Sequence, residues 1–192
     1  MYDKWEISNA SGDGDLAKVK ELIANGIDIN GKILDNSPLY IAAQNGHINV
    51  VRTLIDTGAN INILNNGDYT AMHVAAENGY KDIVELLITS GADIDIHDDK
   101  NRTPLILASS RNHEDIVKML VAAGANVNTA DVYGFTSLHF ASIYGNKPMF
   151  VLLTSVGADL DARLYDGDSI LSLAEYNNRT EIVDLLTTLN VK

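Results

Sequence analysis

The stretch TPLILASSRNHEDIVKMLVAAGANVN, residues 103–128, contains the elements that decide the fold. Thr103 is a typical helix N-cap, and Pro104 suits the first helical position because its φ is already close to the helical value. Asn112 tolerates the left-handed conformation that ends a short helix. An apolar stripe with helical spacing follows, and Gly124 ends it. The stretch therefore predicts a helix–turn–helix unit followed by a short extended segment.

The same pattern recurs along the chain with a fixed period. Gly-Ala pairs begin at residues 58, 91, 124 and 157, which are 33 residues apart. The N-cap position recurs in the same register, as Ser37, Thr70, Thr103, Thr136 and Ser169. The residues that end the first helix form a third series, which is Gly14, Gly46, Gly79, Asn112, Gly145 and Asn178. Self-similarity at one period is the signature of a repeat protein.

The inner positions of each repeat are predicted from its small and apolar residues. Leu105 and Leu138, each two residues after an N-cap, are predicted to anchor the core. Small residues would let neighbouring helices approach closely, and they occur in pairs as Ala42-Ala43, Ala75-Ala76, Ala108-Ser109 and Ala141-Ser142. Between repeats the chain is predicted to turn at residue types that accept a positive φ, which are Asp35, Asp68, Asn101, Gly134 and Gly167.

The period divides the chain into six predicted repeats that together form a single domain over residues 1–192. Their approximate limits are 2–34, 35–67, 68–100, 101–133, 134–166 and 167–192. The first and last are predicted to be caps, because the ends of a repeat stack face solvent. In the last repeat, Glu175 occupies a small-residue position that no further repeat would cover, and Asn190 stands where other repeats have glycine.

These motifs resemble those of the ankyrin repeat family. The matching segments are Thr103–Leu105, Thr136–His139 and Gly124–Asn128, and the resemblance extends over about residues 2–190. It implies an all-α fold, an ankyrin-repeat solenoid of stacked helix–turn–helix units with projecting hairpin loops. It also implies a non-enzymatic module that binds another protein through its concave face and hairpin tips.

The composition narrows the class of partner. Lys and Arg number 14 against 26 Asp and Glu, which gives a formal net charge of −12. Such an excess of acid repels phosphate backbones and attracts basic partners, so we expect a protein rather than a nucleic acid. The chain has no cysteine, which excludes a thiol nucleophile and a Cys-based zinc site. With neither a secretory signal nor a membrane-spanning run in the sequence, we expect a cytoplasmic monomer without a membrane partner.

The five histidines do not form a catalytic or metal-binding pattern. His73 and His139 follow an N-cap residue by three positions, where the ankyrin family uses His to hydrogen-bond loop backbone. His47 and His113 begin second helices, and His97 lies in an acidic loop. We therefore predict no catalytic residue, no metal site and no cofactor. An enzyme with an unrecognised site is the remote alternative.

The predicted binding surface consists of positions without a framework role, beside each turn and at the end of each first helix. Those of the fifth and sixth repeats are rich in aromatic residues, which are enriched in binding hot spots. The predicted partner-binding residues are Tyr69, Arg102, Arg111, Tyr133, Phe135, Ile143, Tyr144, Tyr165, Asp166, Asp168 and Tyr176. Among them Phe135 and Tyr144 are expected to be central contacts. The open alternative is that some of these rings pack on neighbouring tips and stiffen the loops.

The acidic residues beside the rings predict a partner with a basic and apolar segment. Two roles are open for such a module, a scaffold or adaptor and an inhibitor that occludes an enzyme's site, and a structural spacer is a further alternative. Asn and Ile number 19 each against 5 Arg, a bias expected of an AT-rich genome. The chain could therefore also be an effector of an intracellular bacterium or virus that acts on a host protein in the host cytosol.

Overall fold

The fold is all-α, as predicted. The computed structural model describes residues 4–189, so the outer limits predicted for the end repeats, residues 2–3 and 190–192 with Asn190, lie outside this range. Within it the chain forms twelve α-helices and no β-sheet. None of these helices is long and apolar enough to cross a membrane. In chain order they are α1 Lys4–Asp13, α2 Leu16–Ala24, α3 Pro38–Gln44, α4 Ile48–Asp56, α5 Ala71–Asn78, α6 Lys81–Thr89, α7 Pro104–Ser110, α8 Glu114–Ala122, α9 Ser137–Tyr144, α10 Lys147–Ser155, α11 Ile170–Tyr176 and α12 Thr180–Thr188.

In five of the repeats the first helix begins directly after the residue that was predicted as its N-cap. This confirms the N-cap series. The Ser37 hydroxyl accepts a hydrogen bond from the backbone N–H of Tyr40 at 3.1 Å, which satisfies one free donor of the first turn. In α5 and α9 a histidine completes the cap. The backbone N–H of Thr70 donates to Nδ1 of His73, and that of Thr136 donates to Nδ1 of His139, both at 3.1 Å. These two histidines therefore serve as parts of helix caps.

The predicted left-handed positions are confirmed at the turns between repeats and at the ends of first helices. Asp68 and Asn101 have φ values of 59° and 58°, and Gly134 and Gly167 have 91° and 98°. Asn112, at the end of α7, has a φ of 60°. Only Gly, and Asn or Asp among other residues, visit this region routinely, which explains why these residue types recur at the period.

The helices form two compact halves, the N-terminal half (Met1–Asp99) and the C-terminal half (Lys100–Lys192). In the N-terminal half α1, α3 and α5 pack in one row and α2, α4 and α6 in another. In the C-terminal half α7, α9 and α11 form the first row and α8, α10 and α12 the second. One helix pair falls within each interval predicted for a repeat, while the limits of the repeats and their union in one domain remain predictions.

The cores of both halves contain the residues that the period placed there. Leu105 and Leu138 are 1% and 0% exposed, which confirms them as core anchors. Every member of the predicted small-residue pairs is 0% exposed. Small side chains at these positions bring the backbones of successive first helices close together.

Successive hairpin tips of the C-terminal half are joined by backbone hydrogen bonds. The N–H of Val132 donates to the carbonyl of Lys100 at 3.0 Å, and the N–H of Tyr165 donates to that of Tyr133 at 3.1 Å. At Gly134 the approach is so close that a Cβ atom would lie 2.9 Å from the Cα of Leu164. Gly134 is therefore required both by its positive φ and by the contact between tips.

We predict that Gly134→Ala destabilises the protein more than Gly167→Ala, its equivalent one repeat later. Gly167→Ala should cost about 1–2 kcal/mol, because alanine tolerates a positive φ poorly and a Cβ there meets open space among the described residues. Gly134→Ala should cost about 1–3 kcal/mol more, because the added carbon overlaps backbone atoms. Urea unfolding of the two variants measures the difference, and equal losses would contradict the close tip contact.

Burial also lowers the pKa of one histidine side chain. The side chain of His139 is 0% exposed, and desolvation by burial lowers its pKa to about 4, against 6.5 for a free histidine. The folded protein therefore keeps His139 neutral at a pH at which the unfolded chain would already carry the proton.

We predict that the free energy of unfolding decreases as the pH falls from about 6.5 to about 4, because in this window only the unfolded chain binds a proton at residue 139. The contribution should total about 3 kcal/mol. Urea unfolding across this pH range should show a flatter profile for His139→Gln than for His97→Gln, a control at an exposed histidine. Parallel profiles for both variants would refute this assignment.

Candidate partner-binding surface

All but one of the predicted partner-binding residues lie in the C-terminal half. The exception, Tyr69, belongs to the N-terminal half and is half-buried. Its ring centroid lies 5.2 Å from that of His73, and its hydroxyl donates to Oε2 of Glu77 at 3.4 Å. Tyr69 thus has partners within its own half.

Three tyrosines are the most exposed aromatic residues of the C-terminal half. Tyr133, Tyr165 and Tyr176 are 62%, 79% and 85% exposed. The hydrogen bond between Tyr165 and Tyr133 places these two residues on adjacent hairpin tips, and Tyr176 is the last residue of α11. Val132, which the sequence prediction did not include, is 43% exposed beside Tyr133. The position of Val132 next to a turn is the sequence feature that could have predicted its exposure.

Phe135 and Ile143 are half-buried, so they contribute less open surface than the sequence suggested. The ring of Phe135 stacks on that of Phe140 with centroids 5.1 Å apart, and it meets the His139 ring edge-on at 6.0 Å. The carbonyl of Ile143 accepts a hydrogen bond from Nε of Arg179 at 2.8 Å. The Phe135 ring thus packs against two rings of its own repeat, and its role in partner binding stays a prediction.

Tyr144 combines a framework role with an exposed ring. It is 41% exposed, and its hydroxyl donates to the carbonyl of Ser110 at 2.6 Å, which ties the end of α9 to the end of α7. In the N-terminal half Asn78 makes the corresponding bond, from its side-chain amide to the carbonyl of Gln44 at 3.2 Å. Tyr144 supplies the same donor and adds an aromatic surface.

Charged residues lie on both sides of the aromatic residues. Asp166 and Asp168 are exposed, and Oδ1 of Asp166 accepts the backbone N–H of Asp168 at 3.2 Å. Oδ1 of Asp168 accepts the hydroxyl of Ser172 at 3.2 Å. On the other side Arg111 is exposed and Arg102 is half-buried. The surface is therefore neither uniformly acidic nor uniformly basic.

The described residues near the aromatic rings include no group of metal ligands, and the cleft beside these rings is small. Within residues 4–189 no three His, Asp or Glu side chains are grouped so that they could hold a metal ion. The cleft beside the aromatic residues, bordered by Tyr144, Arg179 and Glu181, has a volume of about 170 Å³. Small-molecule sites usually have about 300–1,000 Å³, so this cleft is smaller than most of them.

Comparison with protein families yields a match over most of the chain. A family model described as ankyrin repeats (3 copies) matches residues 7–98 and, in a second match, residues 83–164. Together the two matches run from residue 7 to residue 164, well over half of the chain.

We predict that Tyr144→Phe lowers the free energy of unfolding by about 1 kcal/mol, because it removes the donor to the Ser110 carbonyl. Tyr176→Phe, at a ring that is 85% exposed, should leave stability unchanged and serves as the matched control. Chemical denaturation of both variants measures the difference. An unchanged free energy of unfolding for Tyr144→Phe would mean that this hydrogen bond does not stabilise the protein.

Proposed function

Because the chain belongs to the ankyrin repeat family, whose repeats are protein–protein interaction modules, we propose that it binds another protein through the aromatic surface of its C-terminal half. We define this aromatic surface by Val132, Tyr133, Tyr144, Tyr165 and Tyr176. The observation that carries the proposal is the exposure of its three most open rings, between 62% and 85%.

Exposed aromatic residues in one region favour a binding role. A tyrosine presents a large, rigid apolar body with a polar tip, which is why it is enriched in interface hot spots. Tyr133 and Tyr165 lie on tips that are joined by a hydrogen bond, so the two rings are held by a fixed backbone. A partner can bury such rings without first ordering a loop, which lowers the entropic cost of binding.

The N-terminal half gives a useful contrast at the same repeat positions. Tyr69 is the one aromatic residue among them, and half of these residues are amides, namely Asn36, Gln44, Asn45, Asn66 and Asn78. Asn45 and Asn78 donate to backbone carbonyls of the first helix of the preceding repeat, so they are engaged in the fold. This difference supports placing the main contact in the C-terminal half.

Within this proposal the module is non-enzymatic and acts either as a scaffold or adaptor or as an inhibitor that covers an enzyme's site. We further propose a cytoplasmic monomer, for which the absence of cysteine is suitable because no disulfide has to be maintained. The excess of Asn and Ile over Arg favours a second candidate, an effector that binds a host protein in the host cytosol. Both candidates use the same surface.

A random-peptide library displayed on phage and selected against the whole chain tests the binding surface. We predict that selected peptides bind at least about tenfold more weakly to a Tyr133→Ser/Tyr165→Ser double variant, because aromatic hot spots typically carry 2 kcal/mol or more. The matched control is Leu34→Ser/Asn66→Ser, two exposed residues on hairpin tips of the N-terminal half.

Calorimetric titration of a selected peptide against the parent chain and both double variants gives the measurement. Unchanged affinity for the Tyr133→Ser/Tyr165→Ser variant, together with loss in the Leu34→Ser/Asn66→Ser variant, would move the site to the N-terminal half. A selection that enriches no binding peptide at all would count against an interaction module.

A further inference from the structure

We propose that Asn66 is a site of spontaneous deamidation, in which its side-chain amide reacts with the backbone nitrogen of Gly67 and water completes the change. The products are aspartate and isoaspartate at residue 66, and the isoaspartate releases a contact between two hairpin tips of the N-terminal half. Because the aromatic surface belongs to the C-terminal half, this modification site does not depend on the proposed function.

An asparagine that is followed by glycine is the pair of residues in which this reaction is fastest. Glycine has no side chain that would keep its nitrogen away from the asparagine amide. The chain contains five such pairs, which begin at Asn25, Asn30, Asn45, Asn66 and Asn78. All five lie in the N-terminal half. Since the dipeptide is the same in each case, a difference in reactivity between them has to come from the fold.

The first step of the reaction closes a ring between the two residues. The nitrogen of Gly67 loses its proton to a base in the solvent and attacks Cγ of Asn66, so that a new N–C bond forms. The bond between Cγ and Nδ2 breaks, and Nδ2 takes up a proton from water and leaves as ammonia. The product is a five-membered succinimide, and the step requires a glycine N–H and an asparagine amide that are both free to move.

The second step opens the ring with one molecule of water. When water breaks the new bond to Cγ, residue 66 becomes an ordinary aspartate. When it breaks the original peptide bond instead, the main chain runs through Cβ and the residue is an isoaspartate. Both routes consume one water, release one ammonia and convert a neutral amide into a carboxylate, without an oxidant or a reductant.

In four of the five pairs the glycine N–H already donates a hydrogen bond. The acceptors are the carbonyls of Ile23 for Gly26, Asp28 for Gly31, Ala43 for Gly46 and Ala75 for Gly79. A glycine nitrogen that is engaged in this way has to give up its bond before it can attack.

The asparagine side chains of the same four pairs are also held. Nδ2 donates to a backbone carbonyl in Asn25, Asn45 and Asn78, at distances of 2.9, 3.0 and 3.2 Å. Oδ1 of Asn30 accepts the backbone N–H of Asn60 at 2.9 Å. Each of these four pairs must therefore break two hydrogen bonds before its ring can close.

The pair Asn66–Gly67 has neither of these restraints. Within the part of the chain that the structure describes, the Gly67 N–H has no acceptor and the exposed side chain of Asn66 makes no hydrogen bond. The bonds of this hairpin tip use other groups. The N–H of Asp68 donates to the carbonyl of Asn65 at 3.2 Å, and the carbonyl of Gly67 accepts the N–H of Asp99 at 3.1 Å. Both reacting groups are thus left available.

The bond from Asp99 to Gly67 joins this tip to the next one and is the contact that the reaction affects. An isoaspartate adds one carbon to the main chain directly before Gly67, so the Gly67 carbonyl no longer keeps its place in the turn. Both products also add a negative charge close to Asp68 and Asp99, and like charges repel. The aspartate product keeps the normal main chain, so we expect only the isoaspartate product to lose the bond between the tips.

Peptide mapping by mass spectrometry tests the site, with the whole folded chain incubated in a mildly alkaline buffer. We expect Asn66 to convert at least about tenfold faster than the asparagine of any other pair, a ratio that corresponds to about 1.4 kcal/mol in the barrier. The control is the chain unfolded in urea, in which all five pairs should react at similar rates. An equally fast conversion at another pair of the folded chain overturns the proposal, as does a preference for Asn66 that persists in urea.

Ion-exchange chromatography of two variants provides a second arm, because each deamidation adds one negative charge. The acidic species that accumulates in the parent chain should be missing in Asn66→Gln, since a longer side chain closes the ring far more slowly. Asn25→Gln is the matched control at an exposed pair whose groups are held, and it should accumulate the species as the parent does. Accumulation in Asn66→Gln at the rate of the parent would mean that another residue reacts.

Hydrogen exchange of the Asp99 amide tests the effect on the tips. In the isoaspartate fraction separated by ion exchange, this amide should exchange faster than in the parent chain. The variant Asn66→Asp carries the same charge on a normal main chain, and its Asp99 amide should exchange as slowly as that of the parent. Equal exchange in the isoaspartate fraction and in Asn66→Asp would show that the contact survives, which overturns the release of the tips.

Discussion

Stacking is the constraint on which the rest of this structure depends, because a single repeat cannot bury the inner face of its own helix pair and must bury it against a neighbour. The small-residue pairs show how strictly the constraint acts. Ala42 and Ala43 in the N-terminal half, and Ala141 and Ser142 in the C-terminal half, are all 0% exposed. Any larger side chain there would separate the helices. The inner positions are therefore committed to packing, and variation is left to exposed positions such as the hairpin tips, the ends of the first helices and the outer faces of the second helices.

The tips are themselves restrained by the same stacking. Gly134 lies so close to Leu164 that a Cβ does not fit, and the backbone bond from Tyr165 to Tyr133 depends on this approach. Caps and left-handed residues give each repeat its shape, whereas bonds between tips hold neighbouring repeats in register. As a result, side chains such as Tyr133 and Tyr165 project from a backbone that is already fixed, a good basis for binding without prior ordering.

Most of the fold could be predicted from the sequence, because each cap and turn depends on residues close to it in the chain. Ser37 caps its helix through its own hydroxyl. Asn101 and Gly134 adopt positive φ values at two of the turns whose positions follow from the period. The surroundings of individual side chains could not be predicted in the same way. The period gives Phe135 a variable position, but its stacking on Phe140 depends on which residue occupies each place in that one repeat. The repeat period does not predict the division into two compact halves either.

Tyr144 shows how a binding surface can arise on such a framework without weakening it. Its repeat position needs a donor that reaches a carbonyl at the end of the preceding first helix, and Asn45 and Asn78 meet this need with a side-chain amide. The phenol of Tyr144 meets it equally, through a bond of 2.6 Å, while leaving the ring 41% exposed. Because packing between the repeats requires only a hydrogen-bond donor at this position, the rest of the side chain can vary. An aromatic ring can therefore be added to the surface of the C-terminal half at a position where the N-terminal half has Asn45 and Asn78.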